Sequence, residues 1–152
     1  MKIQIENNQN KIKIQRRKIR STVVKLLKIM DLANNELSIT FVDDNAIKQL
    51  NLRYLQRDNP TNVLSFSLQE GEYGNINPHI LGDIVISTET AQRDAIKGEL
   101  SLSEEIDFLI IHGLLHLLGF NHENTTKAQT TKMQIKEREL FGILNSGKSK
   151  II

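Results

Sequence analysis

His112-Gly113-Leu114-Leu115-His116-Leu117-Leu118-Gly119-Phe120-Asn121-His122 holds three of the chain's four histidines, in the order H-x3-H-x5-H. On a helix the first two differ by roughly 40° in azimuth and about 6 Å in rise, so both rings lie on one face and can close on a single ion. Gly119 takes a left-handed C-cap without a Cβ penalty, which predicts that the helix stops just after Leu118. The chain then turns through Asn121 and can return His122 to the same point. Three neutral imidazoles plus an open position make the layout of a catalytic zinc site. A buried histidine satisfied by a backbone carbonyl is the plainer reading of either residue alone. Two such rings on one face of the apolar run 110–118 would cost roughly a kcal/mol or more each unless paired, and a shared metal removes that cost. His79 follows Pro78 in a polar stretch and reads as a solvated loop residue.

The residue after His112 narrows the chemistry. A helical zinc protease of the H-E-x-x-H type carries its general base there, and this chain has Gly113. Peptide hydrolysis by that route lacks its base.

Working outward, Ser101 and Glu104 form an S-x-x-E capping box that starts the histidine helix. Before it, Ser87 can cap a helix over 88–97, which Gly98 ends. Strands are predicted over 2–6, 36–42, 63–68 and 80–86 from alternating apolar residues. Asp43 or Asp44 can cap a helix running to about Tyr54, and Pro60 blocks its continuation. Residues 69–78 contain Gly71 and Gly74 and read as a loop. A last helix is expected over 125–141, and 146–152 as a frayed tail. The pattern predicts an α+β chain, a small mixed sheet packed against helices in a single domain over 1–145.

Composition sets the outer bounds. The chain has 152 residues, 39% of them hydrophobic, enough for one core. It has no cysteine, which excludes disulfides and thiolate metal sites. No stretch approaches membrane-span length, and the N-terminus lacks the apolar core of a signal peptide, so the expectation is a soluble cytoplasmic protein. Net charge is +2 but unevenly spread, +8 over residues 1–30 and −6 over the remainder. That asymmetry suits a surface meeting polyanions. It also suits the solvated face of an amphipathic helix over 11–30, with Ile12, Ile19, Val23, Leu26 or Leu27, and Met30 inside.

Three segments resemble one family. Leu50-Asn51-Leu52-Arg53-Tyr54 through Asp58-Asn59-Pro60-Thr61-Asn62-Val63-Leu64-Ser65-Phe66, then Leu81-Gly82-Asp83-Ile84-Val85-Ile86-Ser87, are similar to signatures of the YbeY family. His112 to His122 is similar to its H-G-x-L-H-L-x-G-x-D-H hallmark. The resemblance implies a zincin-like α+β fold and one zinc ion held by His112, His116 and His122. It also implies single-strand endoribonuclease activity in ribosomal RNA maturation and ribosome quality control, with ribosomal RNA and ribosomal subunits as partners. Two positions depart from the pattern. Asn121 replaces an aspartate, which lowers the charge around the ligands. Leu55 stands where the family has an arginine, a leading candidate for contacting the scissile phosphate. Arg57, or Arg53 a turn earlier, is expected to reach that space.

The expected mechanism uses a zinc-activated water, with Arg57 stabilising charge that develops on phosphorus. Asp83 could orient a ligand histidine through its other ring nitrogen, or hold a strand-end turn. Thr61, Asn62 and Ser65 could hold phosphate or ribose, or shape the turn after Pro60. The rivals are a zinc hydrolase of another substrate and an RNA- or ribosome-associated factor with little catalysis, which Leu55 favours. An open fourth ligand position argues against purely structural zinc. Three histidines also suit nickel or copper.

Overall fold

The computed structural model describes residues 2–68, 79–120 and 126–145. Four strands form one mixed sheet: β1 (Lys2–Asn7), β2 (Glu36–Val42), β3 (Val63–Ser67) and β4 (Ile80–Ser87). Their spatial order is β1-β2-β4-β3, with β1, β2 and β4 parallel and β3 antiparallel on the outer edge. Five helices complete the α+β architecture: α1 (Arg16–Ile29), α2 (Asp44–Leu55), α3 (Thr88–Lys97), α4 (Leu102–Leu117) and α5 (Lys127–Asn145). The loop expected over 69–78 and the tail over 146–152 lie outside the described residues.

The sheet separates two apolar clusters, as alternation along a strand requires. On β4, Ile84 and Ile86 face the main core with α1, α3, α4 and α5, whereas Val85 faces the smaller cluster under α2 with Val42, Ile47 and Leu64. Helix α4 is buried nearly all round, from Ile106 to Leu117. A polar ring on it therefore needs a partner or an opening.

Local signals account for most helix ends. The Ser101 hydroxyl accepts from the Glu104 amide while the Glu104 carboxylate accepts from the Ser101 amide, completing the capping box. At the other end, Gly119 sits at φ +97. The Phe120 amide bonds to the Leu115 carbonyl at 2.9 Å and the Gly119 amide to that of His116 at 3.0 Å, a Schellman closure. Helix α1 starts at Arg16, later than the apolar spacing predicts. The Gln9 side chain captures the amides of Lys11 and Ile12 and the Ile12 carbonyl, folding that segment into a local turn. Gly98 does end α3, but the left-handed residue there is Glu99, at φ 57.

Asp44 ties α2 to α3. Its carboxylate accepts from the hydroxyls of Ser87 and Thr90 and from the Arg93 guanidinium, each at 2.6 Å. Burial pushes this carboxyl up, but those hydrogen bonds and the Arg93 charge outweigh burial and hold it below the ordinary value. A carboxylate depressed in the folded state stabilises at neutral pH, and that contribution is lost as pH falls through the folded pKa. Asp44→Asn is therefore expected to lower the melting temperature at pH 7, with the gap from wild type closing in acid. Parallel melting curves of the two proteins across pH check it.

Candidate metal centre and active site

His112 and His116 emerge from α4 on one side of an open cavity of about 590 Å3. Their Nε2 atoms are 3.1 Å apart. Two imidazole nitrogens bound to one tetrahedral zinc at about 2.0–2.1 Å would lie roughly 3.3 Å apart, so the pair fits adjacent ligand positions on one ion. The His112 Nδ1 lies 2.8 Å from a carboxylate oxygen of Glu137, a buried residue of α5. An ionised carboxylate only accepts, so Nδ1 carries the proton and the Nε2 lone pair is turned toward His116. His122, the third expected ligand, lies outside the described residues, and among those residues no three His, Asp or Glu side chains converge for a metal.

Gly113 occupies the closest approach between α4 and the sheet. A Cβ there would lie 3.0 Å from Ile84 Cγ2 and 3.1 Å from Ser65 Oγ. Ser65 donates to the Gly113 carbonyl at 3.2 Å, and Ser67 to that of Leu117 at 3.4 Å, anchoring the histidine helix on β3. The position after His112 therefore points into the core, away from the cavity. Gly82 makes the second close approach: at φ +144, its Cβ would collide with the Phe66 carbonyl oxygen.

The opposite wall comes from the end of α2 and the chain leading into β3. The helix reverses at Gln56, which adopts φ 54. The Asn51 side-chain amide donates to the Asn59 carbonyl at 2.9 Å, and the Asn51 carbonyl accepts from the Arg57 amide at 3.2 Å. This clamp brings Arg57 to line the cavity beside Leu55, Thr61, Asn62 and Ser65. Asn51 is itself buried there, and its Oδ1 has no partner among the described residues.

A family model described as Endoribonuclease YbeY matches residues 4–145. The chain belongs to the YbeY family. Proteins named Endoribonuclease YbeY from Syntrophus aciditrophicus and Syntrophotalea carbinolica are 56% and 45% identical to it, over 145 and 139 residues. The first alignment covers 95% of this chain and 91% of the relative, the second 91% and 93%. The namesake from Geobacter metallireducens is 40% identical, covering 95% of this chain and 96% of its own. The solution structure of TM1509 from Thermotoga maritima shares the fold with a TM-score of 0.61 at 23% identity, covering 99% of this chain and 96% of that one.

Within this YbeY chain the structure sorts the residues singled out from sequence. Arg57, Thr61, Asn62, Ser65, His112 and His116 share the cavity. Arg53 does not line it and lies over the Tyr54 ring. The Asn62 amide donates to Asp94 at 3.2 Å and the Ser65 hydroxyl to Gly113, so both also hold the framework. Asp83 departs from its expected place. It is exposed and shares the Val85 face of β4, opposite the face packed on α4, because one residue of strand register reverses the side-chain direction. Glu137 occupies the orienting position beside His112 instead. Its signal in the sequence is a glutamate between Met133 and Leu140 on the buried stripe of α5, where an unpaired charge would be costly. Glu137→Gln is expected to weaken metal binding by roughly 10–100-fold. Competition with a chromophoric chelator measures this directly.

Proposed function

We propose that this chain is a single-strand-specific, metal-dependent endoribonuclease acting in ribosomal RNA maturation and ribosome quality control. The observation that carries the reading is the His112–His116 pair, 3.1 Å apart across Nε2, opening into the cavity that Arg57 also lines. His112, His116 and His122 hold one zinc ion per chain. When bound, that ion supplies Lewis-acid activation of water and of the phosphoryl group. Glu137 keeps His112 in the tautomer whose Nε2 lone pair faces the ion. Arg57 binds a non-bridging phosphate oxygen and stabilises the charge that grows on phosphorus. Thr61 contributes a hydroxyl to the same wall for ribose or phosphate. The partners in this reading are ribosomal RNA and ribosomal subunits, which would place the chain in the cytoplasm; no described helix is long and apolar enough to cross a membrane.

Leu55 favours a second reading, an RNA- or ribosome-associated zinc factor with little catalysis. It is 46% exposed on the cavity wall, where the family pattern carries a cation. The deciding experiment incubates metal-quantified protein with single-stranded ribosomal RNA fragments and a peptide panel. RNA cleavage requiring about one metal per chain supports the nuclease. Stoichiometric metal with RNA binding and no cleavage supports the factor. Peptide hydrolysis would overturn both.

A further inference from the structure

The cavity wall facing the histidines carries an aromatic feature that phosphate chemistry does not use. Tyr54, at the end of α2, is 53% exposed and lines the cavity next to Leu55. It meets Phe66 of β3 edge-to-face, with centroids 5.2 Å apart and planes at 65°. In that arrangement each ring keeps at least one face that the other does not cover. The Arg53 guanidinium lies 6.0 Å from the Tyr54 centroid, and Arg57 lines the same cavity. A half-exposed aromatic ring in the cavity that Arg57, His112 and His116 also line matches a strand with alternating flat bases and charged phosphates. Leu55, where the family carries an arginine, extends the apolar wall.

We infer that Tyr54, supported edge-on by Phe66 and bordered by Leu55, is a stacking subsite for one unpaired nucleobase beside the scissile phosphate. This deepens the endoribonuclease reading and rests on it. A paired base is already stacked within its helix and cannot lie on Tyr54, so the subsite selects single strands. Arg57, which lines the cavity, holds a phosphate flanking the stacked base, while Arg53 stays over the Tyr54 ring. Any base presents a π-face, so the subsite discriminates strandedness more than sequence.

The test uses the metal-loaded full chain and short single-stranded RNAs carrying 2-aminopurine, or an abasic nucleotide, at successive positions. With wild type, 2-aminopurine emission is expected to be quenched at a position adjoining the cleaved bond. An abasic nucleotide there should raise Kd by roughly five- to hundredfold. Tyr54→Ala should raise Kd and KM by a similar factor, leave kcat largely intact and abolish sensitivity to the abasic position. Tyr54→Phe should retain wild-type binding. The abasic series on wild type needs no variant, so it stands even if Tyr54→Ala folds poorly. Equal binding of intact and abasic strands, or unchanged KM in a folded Tyr54→Ala protein, overturns the subsite while leaving the nuclease reading intact. Failure of wild type to bind single-stranded RNA removes both.

Discussion

Replacing His116 with alanine is expected to lower single-strand RNA cleavage by roughly 10²–10⁴-fold, the loss of several kcal/mol of Lewis-acid stabilisation. Two features make this a test of chemistry, separable from folding. The ring is only partly buried and opens on the cavity, so its removal leaves the packed side of α4 intact. In the closing turn of α4 the His116 backbone carbonyl accepts from the Gly119 amide, a bond that alanine retains. The variant should melt close to wild type, bind RNA through Arg57 and the α2 wall, and hold substoichiometric metal. Single-turnover cleavage, metal analysis and RNA titration on one preparation separate these quantities. Full activity in a folded, metal-free His116→Ala protein would sink the metal role.

The second large effect is expected at Gly113, the residue that separates this chain from H-E-x-x-H peptidases. Restoring the glutamate should produce no peptidase, because the side chain would enter the contact between α4 and the sheet. Even alanine meets Ile84 and Ser65 at 3.0–3.1 Å, and overpacking of this kind costs about 1–3 kcal/mol. That corresponds to roughly 2–12 °C in melting temperature for a chain of this size. Glutamate adds an unpaired charge facing Ile84 in the core. Its cost, on the order of 4 kcal/mol or more, rivals the whole stability of a chain that starts near 5–15 kcal/mol. Gly113→Glu should therefore be largely unfolded by circular dichroism at ambient temperature, and Gly113→Ala folded with a lowered midpoint. A folded Gly113→Glu protein that hydrolyses peptides would overturn this account.

These two predictions differ in how far the sequence alone could reach them. The His112–His116 spacing falls on one face of any helix, and the Ser101 box and the Gly119 turn mark that helix's ends through bonds spanning a few residues. Strand and helix types along the chain follow from the same short-range periodicities, and the family resemblance rests on residues in fixed linear order. Because those constraints act within one or two turns of chain, they survive without knowledge of what packs where.

Everything that depended on which faces meet was decided by the tertiary structure. The pleat sends Asp83 to the far side of the sheet from α4, and only the packing of α5 on α4 reveals Glu137 as the partner of His112. The bonds from Asn51 to Arg57 and Asn59 choose Arg57 over Arg53 for the cavity. The contact of α4 with β3 and β4 turns Gly113 from a missing base into a packing requirement. Spacing along a helix is a local property of the backbone. Which residues converge on a site depends on contacts between segments 25 to 50 residues apart, such as His112 with Glu137 and Gly113 with Ser65, and on the balance of burial that selects one packing.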